Sequence, residues 1–597
     1  MHLKSSLLMS LLVVLHACSS GSGPSIPNLA LGEGHPDPLA VGEGEARAGT
    51  LEASEIPVDP TGLSTMKAGH FVLANSRIAV VIEAKRDSDY YDPWGGKIGG
   101  FAVMKDGAMV QSADYSEALV LIGRYTVEPE QVGVLNDGSN GEAAVVRAIG
   151  PMKAVPALNE IGKTFLPDDY DQLRVAYDYI LEPDADYVDV RLTVEVTSGG
   201  NVSINHILSA FYQAERMPPF IETAGFDVGE VGNDEKFPYI AFIEESASSY
   251  AATSSLGSLQ VYIPLVSGFS TYSMPLETNP LPAKELSVIN AARFVVGSKG
   301  LDGLKQAYAR MQGDALREVI GSVKQADDAP AVGSRVYALD ESGALLSRTL
   351  VDADGNFALH VPSVPVTLKA WRLGNNFSNE QSLASDENTA ALSFSGQGTL
   401  NVTVHDADNN DLALPSRVQV LPAASTVMQL PPASYGEKPP HDGRLHLAFP
   451  SKGQVSLPVA AGEYDVRVSR GYEYDLWQNP SPIEVQANET VDVEASLNRV
   501  VETPGVMCAD YHIHTYQSVD SPDDPEVKVK GAVADGLEIL VRSDHEWVSD
   551  FAPVIAALDE SEGSHLADFA FGVPSEELTT FEWGHFGVLP LQPNPDG

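Results

Sequence analysis

Four short clusters of histidine and acidic residues follow one another near the end of the chain, and each one comes directly after an apolar run. They occupy residues 510–515, 543–545, 576–580 and 584–586. Alternate residues of a strand share a face, so His512 and His514 are predicted to project together. Clusters repeated at successive strand ends predict a metal site on a β/α scaffold, since such scaffolds carry their reactive groups at the carboxyl ends of strands.

Helix and strand boundaries between the clusters support this interpretation. Asp524 and Pro525 have the form of a helix N-cap and first helical residue, and Gly536 that of a helix stop. An apolar run to Val541 predicts the next strand, after which a helix over 551–558 and a strand over 567–573 are expected. The pattern therefore predicts alternating strands and helices, with metal ligands at the strand ends.

Imidazole and carboxylate donors suit zinc, manganese or iron better than copper(I) or calcium. A single pair of histidines would be weak evidence, because surface strands carry histidines by chance. Asp544-His545, Glu577 and His585 at successive strand ends make a metal site the favoured interpretation.

The segment 504–597 resembles the first half of a PHP domain, the polymerase and histidinol phosphatase superfamily of metal-dependent hydrolases. Within that superfamily it is most similar to the carbaryl-hydrolase-like branch, because the four clusters stand in family order. The resemblance implies a distorted β/α barrel that binds two or three divalent metal ions. It also implies that metal-activated water attacks phosphoesters or related esters.

The resemblance also implies roles for single residues. The metal ligands are His512, His514, His545, Glu577 and His585, and Glu577 is the carboxylate that bridges two ions. Asp544 and Glu577 are the implied catalytic acids, with Asp544 either holding His545 or transferring a proton. Asp510 is expected to orient a ligand histidine, and Asp520 lies in a loop within reach of the metals. The family's later ligands have no counterpart before Gly597, so we expect only part of the barrel here.

The start of the chain predicts export. The apolar run over 7–15 is too short to span a bilayer and fits the core of a signal peptide. Residues 15–18 resemble a bacterial lipobox, which implies cleavage before Cys18, attachment of lipid to its thiol and a location in the bacterial cell envelope, at the outer membrane. An ordinary secretory signal with an incidental cysteine is the alternative.

The remaining sequence predicts a multidomain, mostly β protein. Short strands separated by turns, such as 173–181 and 187–196, predict a large sandwich that faintly resembles the galactose-mutarotase-like domains of sugar-active enzymes. Helical spacing over 301–320 predicts a helix pair that closes this domain. Two smaller sandwiches follow, the first resembling carboxypeptidase-regulatory-like, transthyretin-like domains, and both are interpreted as spacers. The aromatic and acidic stretch over 87–96 is either a sugar-binding loop or an ordinary one.

The predicted organisation is therefore a signal peptide (1–18), a tether (19–30), a large β-sandwich (31–320), two small sandwiches (321–397 and 398–503) and a partial PHP-type segment (504–597). The net charge is −45, from 82 acidic against 37 basic residues, which disfavours binding to nucleic acid. Two functions remain open: a surface hydrolase for a small ester or phosphoester, or a lipid-anchored protein that binds carbohydrate or a partner and carries an inactive PHP segment.

Overall fold

A computed structural model describes residues 24–59, 62–88, 92–113, 116–213, 217–230, 235–266, 269–274, 279–409, 412–437, 442–580 and 584–592. The chain is mostly β-structure, as the sequence predicts, and its strands form several sandwiches. The signal peptide, Cys18 and the first residues of the tether lie outside the described residues, as do residues 89–91 of the candidate sugar loop. No helix in the described ranges is long and apolar enough to cross a membrane.

The large domain consists of two antiparallel sheets around one hydrophobic core. Its elements are β1 (Ala46–Thr50), β2 (Phe71–Asn75), β3 (Ile78–Ile82), β4 (Ile98–Lys105), β5 (Ala108–Ser112), β6 (Ser116–Ile122), β7 (Tyr125–Val127), β8 (Gln131–Asn136), β9 (Ala144–Ala154), α1 (Pro156–Gly162), β10 (Leu173–Leu181), β11 (Tyr187–Val196), β12 (Ile207–Gln213), β13 (Pro219–Ile221), β14 (Lys236–Phe237), β15 (Tyr239–Phe242), β16 (Ser249–Thr253), β17 (Leu259–Val266), β18 (Phe269–Met274), β19 (Ser287–Gly297) and α2 (Gly300–Gln312).

The hairpin of β10 and β11 shows why this region forms sheets. Successive residues of β11 alternate between half-buried and buried, so every second side chain enters the core. Strand β9 joins the two sheets, because it pairs with β8 and β10 in one and with β7 in the other. In the described part of the candidate sugar loop, Asp92 and Trp94 are buried, which favours an ordinary loop.

The predicted helix pair over 301–320 is wrong in its second half. Helix α2 ends at Gly313, which adopts a left-handed conformation and donates its backbone N–H to the last turn. The next residues form strand β20 (Leu316–Lys324), in which Val319 and Val323 are buried. The first small sandwich therefore begins inside the range assigned to the large domain.

The two small sandwiches share one strand arrangement. The first contains β20, β21 (Arg335–Leu339), β22 (Leu345–Leu350), β23 (Asn356–Pro362), β24 (Val366–Trp371), β25 (Gln381–Leu383) and β26 (Thr389–Ser393). The second contains β27 (Gln397–Asp406), β28 (Arg417–Pro422), β29 (His446–Ala448), β30 (Gln454–Ala460), β31 (Gly462–Ser469), β32 (Trp477–Gln478), β33 (Ile483–Val485) and β34 (Thr490–Leu497). In each, the first strand lies between an antiparallel neighbour and a parallel last strand.

The last segment alternates strands and helices up to a final hairpin. It contains β35 (Ala509–Ile513), α3 (Pro525–Ala534), β36 (Ile539–Arg542), α4 (Ala552–Glu562), β37 (Phe571–Pro574), β38 (Glu576–Thr580) and β39 (Gly584–Val588). Strands β35, β36 and β37 are parallel, whereas β38 and β39 form an antiparallel hairpin. Asp524 caps α3 as predicted, because its side chain accepts from the backbone N–H of Glu526.

Strand β35 and the residues before it are largely exposed, although an apolar run precedes the first histidine cluster. Ile513 is buried, but Val506, Met507 and Tyr511 are each about half exposed or more, and Cys508 is exposed. Within the described residues β35 pairs only with β36, so it is an edge strand with one face open.

Candidate metal centre

Strand ends bring the predicted ligands to one place. His512 lies near the end of β35 and His514 just after it, while His545 follows β36. Glu577 and His585 lie on opposite strands of the β38–β39 hairpin, two residues out of direct register. The imidazoles of His512, His514, His545 and His585 form a chain of contacts with successive ring centroids 4.7, 4.8 and 4.9 Å apart.

Glu577 lies at the middle of this chain of rings. Its Oε2 is 2.8 Å from Nε2 of His512 and 2.7 Å from Nε2 of His514. Its Oε1 is 3.1 Å from Nδ1 of His585. The two oxygens thus face different histidines, which is the arrangement that a carboxylate bridging two cations needs.

One contact fits a cation better than a hydrogen bond. Nε2 of His514 is buried and, despite its 2.7 Å separation from Glu577, makes no hydrogen bond of acceptable geometry. A cation bound beside these two atoms would take a lone pair from each, so the contact would need no proton. The ligand atoms of His512, His514 and Glu577 all lie within 4.8 Å of one another, as do those of His545, Glu577 and His585.

Asp520 connects two of the histidines from the other side. Its Oδ1 is 2.9 Å from Nδ1 of His514, and its Oδ2 is 3.3 Å from Nε2 of His545. A carboxylate that accepts the N–H of one ring nitrogen leaves the lone pair of the other nitrogen available to a metal. The same three residues also form a third group able to hold a cation. The sequence placed Asp520 in a loop near the metals but gave it no partner.

The electrostatics of the centre favour positive charge. Burial raises the pKa of Glu577, but the hydrogen bond with His512 and the neighbouring imidazoles outweigh it, so this pKa is lowered. The pKa of Asp520 is lowered for the same reason, by His514 and His545 against its burial. Burial lowers the pKa of His514, yet the nearby carboxylates raise it overall. The positive charge that lowers the pKa of these carboxylates is also what a bound cation would supply.

The structure gives Asp544 and Asp510 other positions than predicted. Asp544 is fully buried, and its carboxylate accepts from the backbone and hydroxyl of Thr515, from Nε of Arg542 and from the hydroxyl of Ser549. These donors occupy both oxygens, so Asp544 neither holds His545 nor faces the centre. Asp510 accepts from the backbone N–H of His512 and not from an imidazole.

Thr579 is a neighbour of the centre that sequence reasoning missed. Its hydroxyl lies 2.7 Å from Nδ1 of His545, the nitrogen that faces Glu577. Its position two residues after Glu577 on β38 puts both side chains on one face of the strand, a spacing that could have identified it.

The donor set of imidazoles and carboxylates fits a divalent zinc, manganese or iron ion. The centre opens to solvent through a cleft of about 380 Å³ that begins at His512 and His514 and ends at Lys528. Lys528 pairs with Asp523 at 2.7 Å in this cleft. The side chain of His512 is 63% exposed, so the open side of the centre can admit a substrate.

Comparisons with known proteins give no family for this chain. No family model matches it, and no curated protein matches it. The Bacillus anthracis TIE protein is 10% identical with a TM-score of 0.14, over 58% of this chain and 64% of that one. A shaft pilin from Lactobacillus rhamnosus GG is 11% identical over 32% of this chain and all of the pilin, with a TM-score of 0.21.

A GH36 alpha-galactosidase from Geobacillus stearothermophilus is 12% identical, over 44% of this chain and 46% of that one, with a TM-score of 0.24. This chain spans less than two thirds of the galactosidase and of the TIE protein. Likenesses this weak carry no argument about fold or function, so the functional case rests on the centre itself.

Proposed function

We propose that this chain is a metal-dependent hydrolase of the PHP type, acting on phosphoesters or related esters. The observation that carries the proposal is the convergence of four imidazoles on the two oxygens of Glu577, with a buried nitrogen of His514 left without a hydrogen bond. Bound divalent cations would lower the pKa of a water molecule and neutralise charge that develops on the substrate oxygen.

The position of each residue assigns it one of three roles in this proposal: binding metal, orienting the imidazoles or contacting the substrate. His512 and His514 would hold one cation together with Glu577, and His545 and His585 would hold a second with the same carboxylate. Asp520 fixes the tautomers of His514 and His545 and keeps both rings in place. The exposed edge of His512 and the cleft toward Lys528 receive the substrate, where the ammonium group offers a contact for an anionic ester.

The proposal includes a place in the cell. Export by residues 1–18 and lipid on Cys18 would hold the chain at the bacterial cell envelope, at the outer membrane, with the sandwiches between the anchor and the metal centre. A surface hydrolase would then meet small esters that reach the envelope from outside.

The test is metal content by elemental analysis of the purified chain beside the double variant His512→Ala/His514→Ala. His565→Ala is the matched control, because His565 is an exposed histidine of the same segment that lies outside the centre. We expect about two equivalents of zinc, manganese or iron in the wild type and in the control, and a loss in the double variant. The metal-loaded protein is then assayed on chromogenic phosphomonoesters, phosphodiesters and carboxylic esters.

The alternative, a surface protein that binds carbohydrate or a partner, is favoured by one observation. The described part of the last segment has three parallel strands and a hairpin, with an open edge at β35. Absence of bound metal in the wild type would refute the hydrolase and leave the binding protein as the remaining candidate.

A further inference from the structure

The large N-terminal domain touches the metal-bearing segment beside a ligand. The indole of Trp547, two residues after His545, lies directly against Gly62 in the loop before β2. A Cβ atom at position 62 would come within 2.8 Å of Cη2 and 2.9 Å of Cζ3 of that ring. Real side chains do not approach so closely, so the ring occupies the space that any other residue at position 62 would need.

The loop that carries Gly62 is fastened to the large domain. The hydroxyl of Thr65 donates to the backbone oxygen of Gly99 at 2.9 Å, and the backbone N–H of Ser64 donates to Asp59 at 2.6 Å. Met66 is buried against Gly100 of strand β4. The ring of Trp547 therefore packs against a loop whose position is set by contacts with the large domain.

Between Trp547 and His545 lies a turn that requires support. Glu546 has a φ of +54°, in the left-handed region that is unfavourable for a residue with a side chain. Its backbone N–H donates to the carbonyl of Glu577 at 3.2 Å, and its carboxylate accepts from the backbone N–H of Thr579. The hydroxyl of Thr579 in turn contacts Nδ1 of His545 at 2.7 Å.

We propose that Gly62 is a positioning residue of the metal centre: by seating Trp547, the large domain fixes the turn at Glu546 and with it the orientation of His545. The inference rests on the metal-dependent function proposed above and makes the large domain part of that centre. A displaced indole would shift Glu546, and the shift would reach His545 both along the backbone and through Thr579.

The experiment compares Gly62→Val with Gly44→Val in the full chain. Gly44 has a φ of +74° against +75° for Gly62, and a Cβ there would meet nothing within 4 Å. Valine therefore meets the same unfavourable left-handed backbone conformation at both positions, but only Gly62→Val displaces Trp547. The probe is cobalt(II), whose visible absorption depends on the geometry of its ligands. If Gly62 only supported the fold, the substitution would leave this spectrum unchanged.

We expect the wild type and Gly44→Val to share one cobalt spectrum and affinity. Gly62→Val is expected to alter the spectrum and weaken cobalt binding by about 10-fold or more, the size of effect that groups supporting metal ligands have. Trp547→Ala provides a second route should Gly62→Val not fold, and it should give the same spectral change. Adding Gly62→Val to Trp547→Ala should then weaken cobalt binding no further, because the ring that the valine would displace is absent.

The outcomes separate the two proposals. Cobalt spectra of Gly62→Val and Trp547→Ala that match those of Gly44→Val would overturn the positioning role and leave the metal centre intact. A wild-type chain that binds no cobalt would overturn both.

Discussion

Substituting Asp544 tests whether this buried acid supports the fold or takes part in catalysis. In Asp544→Asn the side chain keeps its shape, but an amide nitrogen replaces one of the oxygens that accept from Arg542, Thr515 and Ser549. Arg542 is 6% exposed, and the other side chains that accept from its guanidinium, Thr515 and Gln517, are neutral. Breaking a buried pair by removing one partner costs about 3–5 kcal/mol, because the remaining charge is left uncompensated.

The measurement is hydrogen exchange, since a single unfolding free energy is not well defined for a multidomain chain. Peptides covering β36 and the loop after β35 contain Arg542 and Thr515, so their opening free energy should fall by about 3–5 kcal/mol. Asp568→Asn is the control, because Asp568 is an exposed acid of the same segment. It should change the exchange of these peptides by no more than about 0.5 kcal/mol.

Hydrogen exchange in Asp544→Asn at the level of the control would refute the role of Asp544 in supporting the fold. Unchanged exchange combined with lost ester hydrolysis would restore the catalytic role that the sequence implied. Because Asp544 adjoins His545, metal content is measured on the same samples, which separates loss of the fold from loss of the centre.

Three further predictions concern different parts of the chain. Asp520→Asn should weaken metal binding by about 10- to 100-fold in a competition titration with a chelator, because a neutral amide holds the imidazoles less firmly; an unchanged affinity would exclude the orienting role. In the large domain, Lys97 contacts both Glu83 and Glu117, and burial raises the pKa of Glu83 to about 8. The folded domain then binds more protons than the unfolded chain between about pH 4.5 and pH 8, so its melting temperature should fall as the pH rises through this window. Glu83→Gln should flatten that dependence in calorimetry, and an equally steep profile would contradict it. Cys18→Ala should abolish incorporation of labelled palmitate in a bacterial host and release the chain from the membrane fraction, whereas retention there would refute the lipid anchor.

The sequence predicted best where a short-range pattern decides the structure. The hairpin of β10 and β11 follows from period-two alternation, and its ends match the predicted 173–181 and 187–196. Asp524 at the start of α3 follows from capping chemistry alone. Helical spacing misled at Leu316, because Val319 and the residues before it fit both periods, and the left-handed Gly313 decides between them.

The sequence was enough to predict which histidines and which glutamate come together, but not the contacts that surround them. His512, His514 and His545 meet because parallel strands end at one edge, a rule that needs no tertiary information. His585 reaches them from the antiparallel hairpin of β38 and β39, to which that rule does not apply. The contact of Asp544 with Arg542 depends on the direction in which the buried side chain of Asp544 points after β36. The local sequence does not determine that direction. The same holds for the contact of Trp547 with Gly62, whose partners are almost 500 positions apart.

The contacts of the second small sandwich with the last segment argue against a role of this sandwich as a passive spacer. Arg470 donates to the carbonyls of Pro415 and Val533, the second of which lies in the last turn of α3, and its guanidinium lies 4.5 Å from the ring centroid of Phe569. Arg417 pairs with Asp535 at the same helix end. Arginine at a helix C-terminus satisfies carbonyls that have no partner within the helix.

These contacts matter because the last segment has a small core of its own. Its cluster of buried apolar residues has nine members, which include Val533 and Leu540. A core of this size leaves a segment of about ninety residues marginally stable by itself. The sandwich at α3 and the large domain at Trp547 supply packing from two sides. The positions of the strand ends, and therefore of the clustered histidines and Glu577, depend on domains that contribute none of these residues.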